Sequence, residues 1–486
     1  MFGALSCGWC SKGVDWDSND IHFATTILPK NSFSKINRNA KLGLSNKNSV
    51  VFFEKNFLDK LYPDNNLLIS YGNAFYDKNL DLNKLTKKDE SDKLNVKKFC
   101  SSDMHSLMLI EIYSKDNNLI KTSVYSYGIN ESGQLGIDYD PLGNNFYKEW
   151  LYVEIEKKIK KKIFIDDINV GENFSIITVK EIDKDILSIY RFQLRKEDQF
   201  EILSKNNNSV KTCITKEKFD TRDNGGIKQV SCFGNRILVL TKDNSLYMKG
   251  ILYDMSNAEE FKKFVKFDEE ILYITMGINN CLLLGEDNTI YAIGHNEYKE
   301  FGIDDEEEQI KIKKTKSRKI SVGLNLKKNI NNPIYNNINF NFNEKVFANN
   351  YFKDRGLNIK KISTGARHSM VLCSNGELYC FGDNSDGQCS GFEKVVNEPT
   401  LVEFEDEDEF IVDIKAGFNH SMAKGLSKKV YVWGDSTWGK IGIKDSTIDQ
   451  FDPLEINDMR IRNVINIFAG PMNSAFFTSG DFNLEA

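Results

Sequence analysis

The chain has 486 residues, 40% of them apolar and 12% aromatic, and carries a formal net charge of −6. That is enough apolar material for one large core or several small ones, while the acidic balance argues against a generic nucleic-acid binder, which would be basic overall. Nine cysteines scattered mostly inside apolar runs read as buried thiols in a reducing compartment, and the lack of an 18-residue apolar run or a leader pattern in residues 1–9 leads to the expectation of a soluble intracellular protein.

In chain order, Phe2-Gly3-Ala4-Leu5-Ser6-Cys7-Gly8 reads as the last half of a repeat without its beginning. Leu42-Gly43 and Ser49-Val50-Val51 lead to Leu67-Leu68-Ile69-Ser70-Tyr71-Gly72. His105-Ser106 leads through Asp116-Asn117 to Val124-Tyr125-Ser126-Tyr127-Gly128, then Ser132-Gly133-Gln134-Leu135-Gly136. Gly171-Glu172-Asn173-Phe174-Ser175 precedes an apolar run at 186–192, and Val230-Ser231-Cys232 leads through Asp243-Asn244 to Leu246-Tyr247-Met248-Lys249-Gly250. Gly277-Ile278-Asn279-Asn280-Cys281 leads through Asp287-Asn288 to Ile293-Gly294.

The fullest copy is Gly365-Ala366-Arg367-His368-Ser369, an apolar run, Asn375-Gly376, a second run ending at Phe381-Gly382, and Gly387-Gln388. Asn-Gly between apolar runs is a hairpin signal because both residues tolerate positive φ. Gly417-Phe418-Asn419-His420-Ser421 and Trp433-Gly434 repeat it. Ile467-Phe468-Ala469-Gly470-Pro471-Met472-Asn473-Ser474-Ala475-Phe476-Phe477 is a first half without its end. One hairpin cannot bury its own faces, so end-to-end repetition predicts a closed array in which the two terminal halves share one unit. Counting that composite gives eight units, and deletion of residues 1–10 is expected to open it. Residues 77–98 and 147–167 read as polar interruptions. Residues 304–355, acidic, then basic, then Asn-rich, read as a flexible insertion in an otherwise single domain spanning 1–486.

The string Gly-x-x-His-Ser, hairpin, aromatic-Gly, Gly-Gln-Leu-Gly resembles the repeat of the regulator of chromosome condensation family, and the resemblance covers nearly the whole chain. It implies an all-β propeller of four-stranded antiparallel blades, normally seven, with N- and C-terminal strands sharing one blade. It also implies a protein-binding role: either guanine nucleotide exchange on a Ran-like small GTPase, with chromatin as a further partner, or a non-catalytic interaction scaffold. The place implied is the nucleus or cytoplasm, and the expected state is a monomer without cofactor, metal or membrane contact. Within the family, the photoreceptor branch needs a dense tryptophan cluster that five Trp do not form.

His105, His368 and His420 share one repeat position, which marks them as framework residues with Ser106, Ser369, Ser421, Gly365 and Gly417. Cys7-Gly8-Trp9-Cys10 lacks the strand–helix context of a redox motif, and no second cysteine pair stands at zinc-ligand spacing. Binding is therefore expected from loops that break the repeat. These are Asp254, which the resemblance places four residues after the glycine of a blade, at the family's exchange face; the acidic stretch with Glu405, Asp406 and Glu407; and Trp438, in a polar loop position.

Overall fold

In four blades the repeat becomes a hairpin because a residue that accepts positive φ sits between two apolar runs. Asn117, Asn244, Asn288 and Gly376 take φ of 61°, 60°, 66° and 87° at the hairpin tips. The runs they join are deeply buried, every residue of His368–Cys373 and of Ile290–Gly294 included. Alternate residues face two neighbouring sheets rather than core and solvent, which is why these strands read as continuous apolar runs.

The computed structural model describes residues 67–72, 79–82, 93–141, 143, 145–181, 186–195, 213–251, 257–278, 280–303, 309–310, 346–442, 449–456 and 464–478. Their strands form seven antiparallel sheets, six of four strands and one of five. The first six run in order along the chain. Their innermost strands are Lys93–Ser101, Ile163–Val170, Ile227–Phe233, Ile271–Met276, Ile359–Thr364 and Ile411–Ala416. Each of these strands touches the next around a ring, and Val464–Ala469 of the seventh sheet touches both the sixth and the first. The sheets are therefore blades of a closed propeller.

The seventh blade closes the ring. Val464–Ala469 and Asn473–Thr478 come from the C-terminal side, and Leu67–Gly72 pairs antiparallel with Asn473–Thr478, Ser70 opposite Ala475. Asn79–Asp81 adds the outermost strand. The count is thus seven and not eight. Leu67–Gly72 is the third strand of the shared blade rather than the end of a separate unit, because two N-terminal strands complement two C-terminal ones. Residues 2–8 and Ser49, which the repeat reading used, lie outside the described residues.

Other readings of the interruptions also change. Lys93–Ser101, Phe146–Tyr152 and Ile163–Val170 are regular strands, and Ile155–Ile159 is a helical turn. Their charge arises because inner strands face a central channel and outer strands face water. Within 304–355, Val346–Asn349 pairs with Ile290–Gly294, Gln309–Ile310 adds a fifth strand, and Phe352 of the short helix Tyr351–Asp354 is fully buried. Those residues belong to the fourth blade, and 311–345 lie outside the described residues.

The core lies between blades. Phe352, Phe381, Trp433, Ile362 and Ile414 belong to one cluster across the fourth to sixth blades, and Phe99, Tyr127 and Trp150 join Phe468 and Phe477 across the closure. Each such side chain stabilises the fold by roughly 1.5–3 kcal/mol. Outer edges are blunted: Pro399 and Pro453 sit in Val395–Leu401 and Gln450–Glu455, and Ile214–Lys216 and Asn79–Asp81 have only three residues each.

Removing residues 1–82 is expected to bare the edge of Asn473–Thr478, lower the melting temperature and cause concentration-dependent association. Calorimetry and light scattering check this; a truncated chain that melts with the parent and stays monodisperse contradicts closure by Leu67–Gly72.

Candidate protein-binding face and central cavity

The repeat residues build a set of latches between blades. His105 Nε2 lies 2.8 Å from Ser175 Oγ in the next blade, and Ser175 donates to the Gln134 carbonyl at 2.8 Å. His420 reaches Ser474 and His368 reaches Ser421, both at 3.0 Å, and Ser421 donates to the Gln388 carbonyl at 2.7 Å. Each of these two serine hydroxyls, Ser175 and Ser421, has one proton and gives it to the carbonyl, so the imidazole must donate through Nε2–H. Burial holds all three histidines down to about 3. Gly365 and Gly417 are required beneath these rings: a Cβ on either would fall inside His368 or His420. Two blades without histidine use substitutes. Arg236 donates to the Ile278 carbonyl of the next blade, and Ser101 donates to Asn473 at 2.8 Å.

Every inner strand carries a β-bulge at the same level, so one residue per blade turns toward the axis. These are Lys98, Asp167, Gln229, Tyr273, Lys361, Asp413 and Asn466, all half-buried. They bridge neighbouring blades: Lys98 meets Asp167 at 2.9 Å, Lys361 meets Asp413, Gln229 brackets the Ile274 backbone, and Asn466 donates to the Val96 carbonyl. Asp167 outweighs burial and raises Lys98 above the usual lysine range. Lys98 and Tyr273 of this ring also line a central cavity of about 1020 Å³, which opens between the Gly-x-x-His turns and the loops after the third strands.

Trp438 stands at the mouth of that cavity. It is 58% exposed and adopts φ +63°, ψ 13°, a left-handed conformation that costs a bulky residue roughly 1–3 kcal/mol. Its loop is rigid. Asp435 accepts from the Thr437 amide at 2.8 Å and pairs with the buried Lys440, and Asp449 accepts from the Ser436 amide. Asp386 nearby is pushed up to about 6 by burial and by Asp435, Asp449 and Asp383.

Glu405, Asp406 and Glu407 form an exposed turn between Val395–Leu401 and Ile411–Ala416, beside the hairpin tip at Gly376. That is the propeller end opposite Trp438, and Lys429 pairs with Asp406 at 3.2 Å. The structure thus separates the sequence-derived binding residues onto two faces. Asp254 lies outside the described residues. His105, His368, His420, Ser369 and Ser421 are buried between blades, as is Ser106. Sequence reading did not find Arg236 as a histidine substitute, nor the channel ring. Glu300 was also missed: it stands in the Gln134 and Gln388 position and is raised to about 7 by burial.

Models of the regulator of chromosome condensation (RCC1) repeat match residues 359–388 and 375–423. The serine/threonine-protein kinase Nek9 of Xenopus laevis is 32% identical over 131 residues, 26% of this chain and 14% of the kinase. The ultraviolet-B receptor UVR8 of Arabidopsis thaliana is 36% identical over 97 residues, 20% of this chain and 22% of the receptor. Matches therefore span a small part of these relatives. Among solved structures, human WBSCR16 has a TM-score of 0.58 at 14% identity, over 86% of this chain and 99% of its own. Prp20p of Saccharomyces cerevisiae, described with its binding to Gsp1p and histones, has a TM-score of 0.57 at 16% identity, over 86% and 92%. At these identities the likeness is one of fold.

The latch predicts a pH dependence. An unfolded histidine takes a proton near 6.5 and a folded one near 3, so this stability is full above pH 6.5 and falls as pH drops, by about 1.4 kcal/mol per unit per residue. Glu300 works with the opposite sign between 7 and 4.5, so the parent alone does not isolate the effect. His368→Asn should destabilise at pH 8 yet lose stability less steeply than the parent between pH 6 and 4 by denaturant titration. Equal slopes would show that His368 is not held neutral.

Proposed function

Because the chain belongs to the family of β-propellers built from regulator of chromosome condensation repeats, we propose that it is a protein-binding platform whose working face is the one carrying Trp438. The observation that carries this reading is Trp438 itself: a large aromatic, 58% exposed, held in a strained backbone by a buried ion pair. Strain retained at an exposed side chain is the signature of a working residue, and a rigid aromatic loses little entropy on contact.

The finer reading is guanine nucleotide exchange on a Ran-like small GTPase. Its support is the fold shared with Prp20p, whose described binding includes Gsp1p. In this mechanism no bond is made or broken. Loops of the Trp438 face, together with Asp254 as the family resemblance implies, occupy the partner's phosphate and metal region and stabilise its nucleotide-free form, which speeds release of bound nucleotide. The second reading is a scaffold without exchange activity. It is favoured by Lys249, which replaces the aromatic before Gly250 and pairs with Glu217. The acidic turn Glu405, Asp406 and Glu407 suits a basic partner such as histone, at the opposite face. A nuclear or cytoplasmic monomer is part of the same proposal.

Small GTPases loaded with fluorescent nucleotide test the finer reading. Trp438→Gly removes the backbone strain, so its melting temperature should equal or exceed the parent's, while nucleotide release or partner capture falls by roughly 30-fold, the scale of a 2 kcal/mol hot spot. Asp254→Ala should act in the same direction, and charge reversal of Glu405, Asp406 and Glu407 should leave release unchanged. Absence of release from every GTPase tested, with capture of a partner that depends on Trp438, decides for the scaffold. Binding indifferent to Trp438 places the working face elsewhere.

A further inference from the structure

The central cavity is lined by one half-buried lysine that makes no ion pair with any described residue, Lys415. Lys98 and Lys361 each face an aspartate on the adjacent blade. Lys415, two residues beyond Asp413 on Ile411–Ala416, lines the same cavity and has no hydrogen bond or ion pair with any described residue. At this level Lys415 is thus a lysine without an ion-pair partner, while the cavity's own carboxylates, Asp103, Glu131 and Glu172, are exposed to solvent. Burial, and then the charge of Lys361, make the Lys415 ammonium harder to hold, with Tyr273 and Asp413 acting the other way.

The other polar groups at this level are engaged. Thr275 and Thr364 share a hydrogen bond at 2.8 Å, and Ser363 accepts from the Ala416 amide at 2.9 Å. Lys415 and the Tyr273 hydroxyl remain. Toward the mouth one part of the lining is apolar: Phe418 stacks on Phe233 with centroids 6.5 Å apart, and Phe468, Met472 and Trp438 add to it, while Asp103, Glu131 and Glu172 stand exposed elsewhere on the lining. The volume of about 1020 Å³ lies at the upper end of small-molecule sites, roughly 300–1,000 Å³.

We propose that this cavity binds a small organic acid, its carboxylate at Lys415 and its apolar body against the aromatic side chains toward the mouth. Removed from bulk water, the ion pair is stronger than at the surface, and the anion relieves a desolvated, unpaired ammonium. The site needs no second protein, so it stands or falls independently of the partner-binding reading.

Calorimetric titration of the full chain with 2-naphthoate, beside its neutral isostere 2-naphthamide, is the test. The expected result is one-to-one binding of naphthoate, weakened at least tenfold by Lys415→Met and unchanged by Lys360→Met, an exposed lysine on Ile359–Thr364. Without any variant, naphthoate should slow acetylation of Lys415 and leave Lys360 unaffected, read by mass spectrometry. Failure of naphthoate to bind, equal binding by folded Lys415→Met, unprotected Lys415, or binding of an Asp-containing peptide but not of naphthoate overturns the proposal.

Discussion

The fold depends on the antiparallel pairing of Leu67–Gly72 with Asn473–Thr478. No blade has a core of its own; apolar side chains are buried only where two blades meet. A ring open at one junction would leave Phe468 and Phe477 without their packing against Phe99 and Trp150, and would present two sheet faces to water. Joining strands from opposite ends of the chain carries a loop-closure cost, but that cost grows only with the logarithm of length. The gain, a buried junction and the loss of an open edge, is fixed. This asymmetry makes a seven-blade ring with long, variable connections stable.

Packing alone does not fix the angle between blades, since apolar faces slide. The polar latches supply direction. The His–Ser–carbonyl chain and the channel ring each bond one blade to the next at defined atoms, at two heights along the axis. Their groups are shielded from water, so an unmade bond is costly and the register is enforced. Arg236 and Asn473 make such a bond in place of histidine, while Phe174 at the same position of the second blade packs without one, so the latch is made at some junctions and packing holds the others.

With turns and inner strands occupied by the framework, freedom to diversify lies in the loops and the channel. Trp438 and the cavity mouth share one end of the propeller, and the acidic turn takes the other. The two ends are shaped by different connections, those between third and outer strands and those between successive blades, so they can vary independently and serve different ligands.

Repetition made much of this legible in the linear chain. Positive-φ tips at Asn117, Asn244, Asn288 and Gly376, the Gly-x-x-His turn, and the sharing of a blade by the two ends all follow from local chemistry recurring at one position. The framework role of His105, His368 and His420 follows for the same reason. Tertiary structure alone decided the number of blades, because Leu67–Gly72 looks like any third strand until its partner is known. It alone decided that Trp438 stands exposed at the cavity mouth, that the acidic turn lies at the far end, and that Lys415 lines the cavity without an ion-pair partner. Strand periodicity tells which residues share a side of one sheet. What lies across the ring, and whether a charge there is answered, depends on six other blades whose residues are remote in the chain.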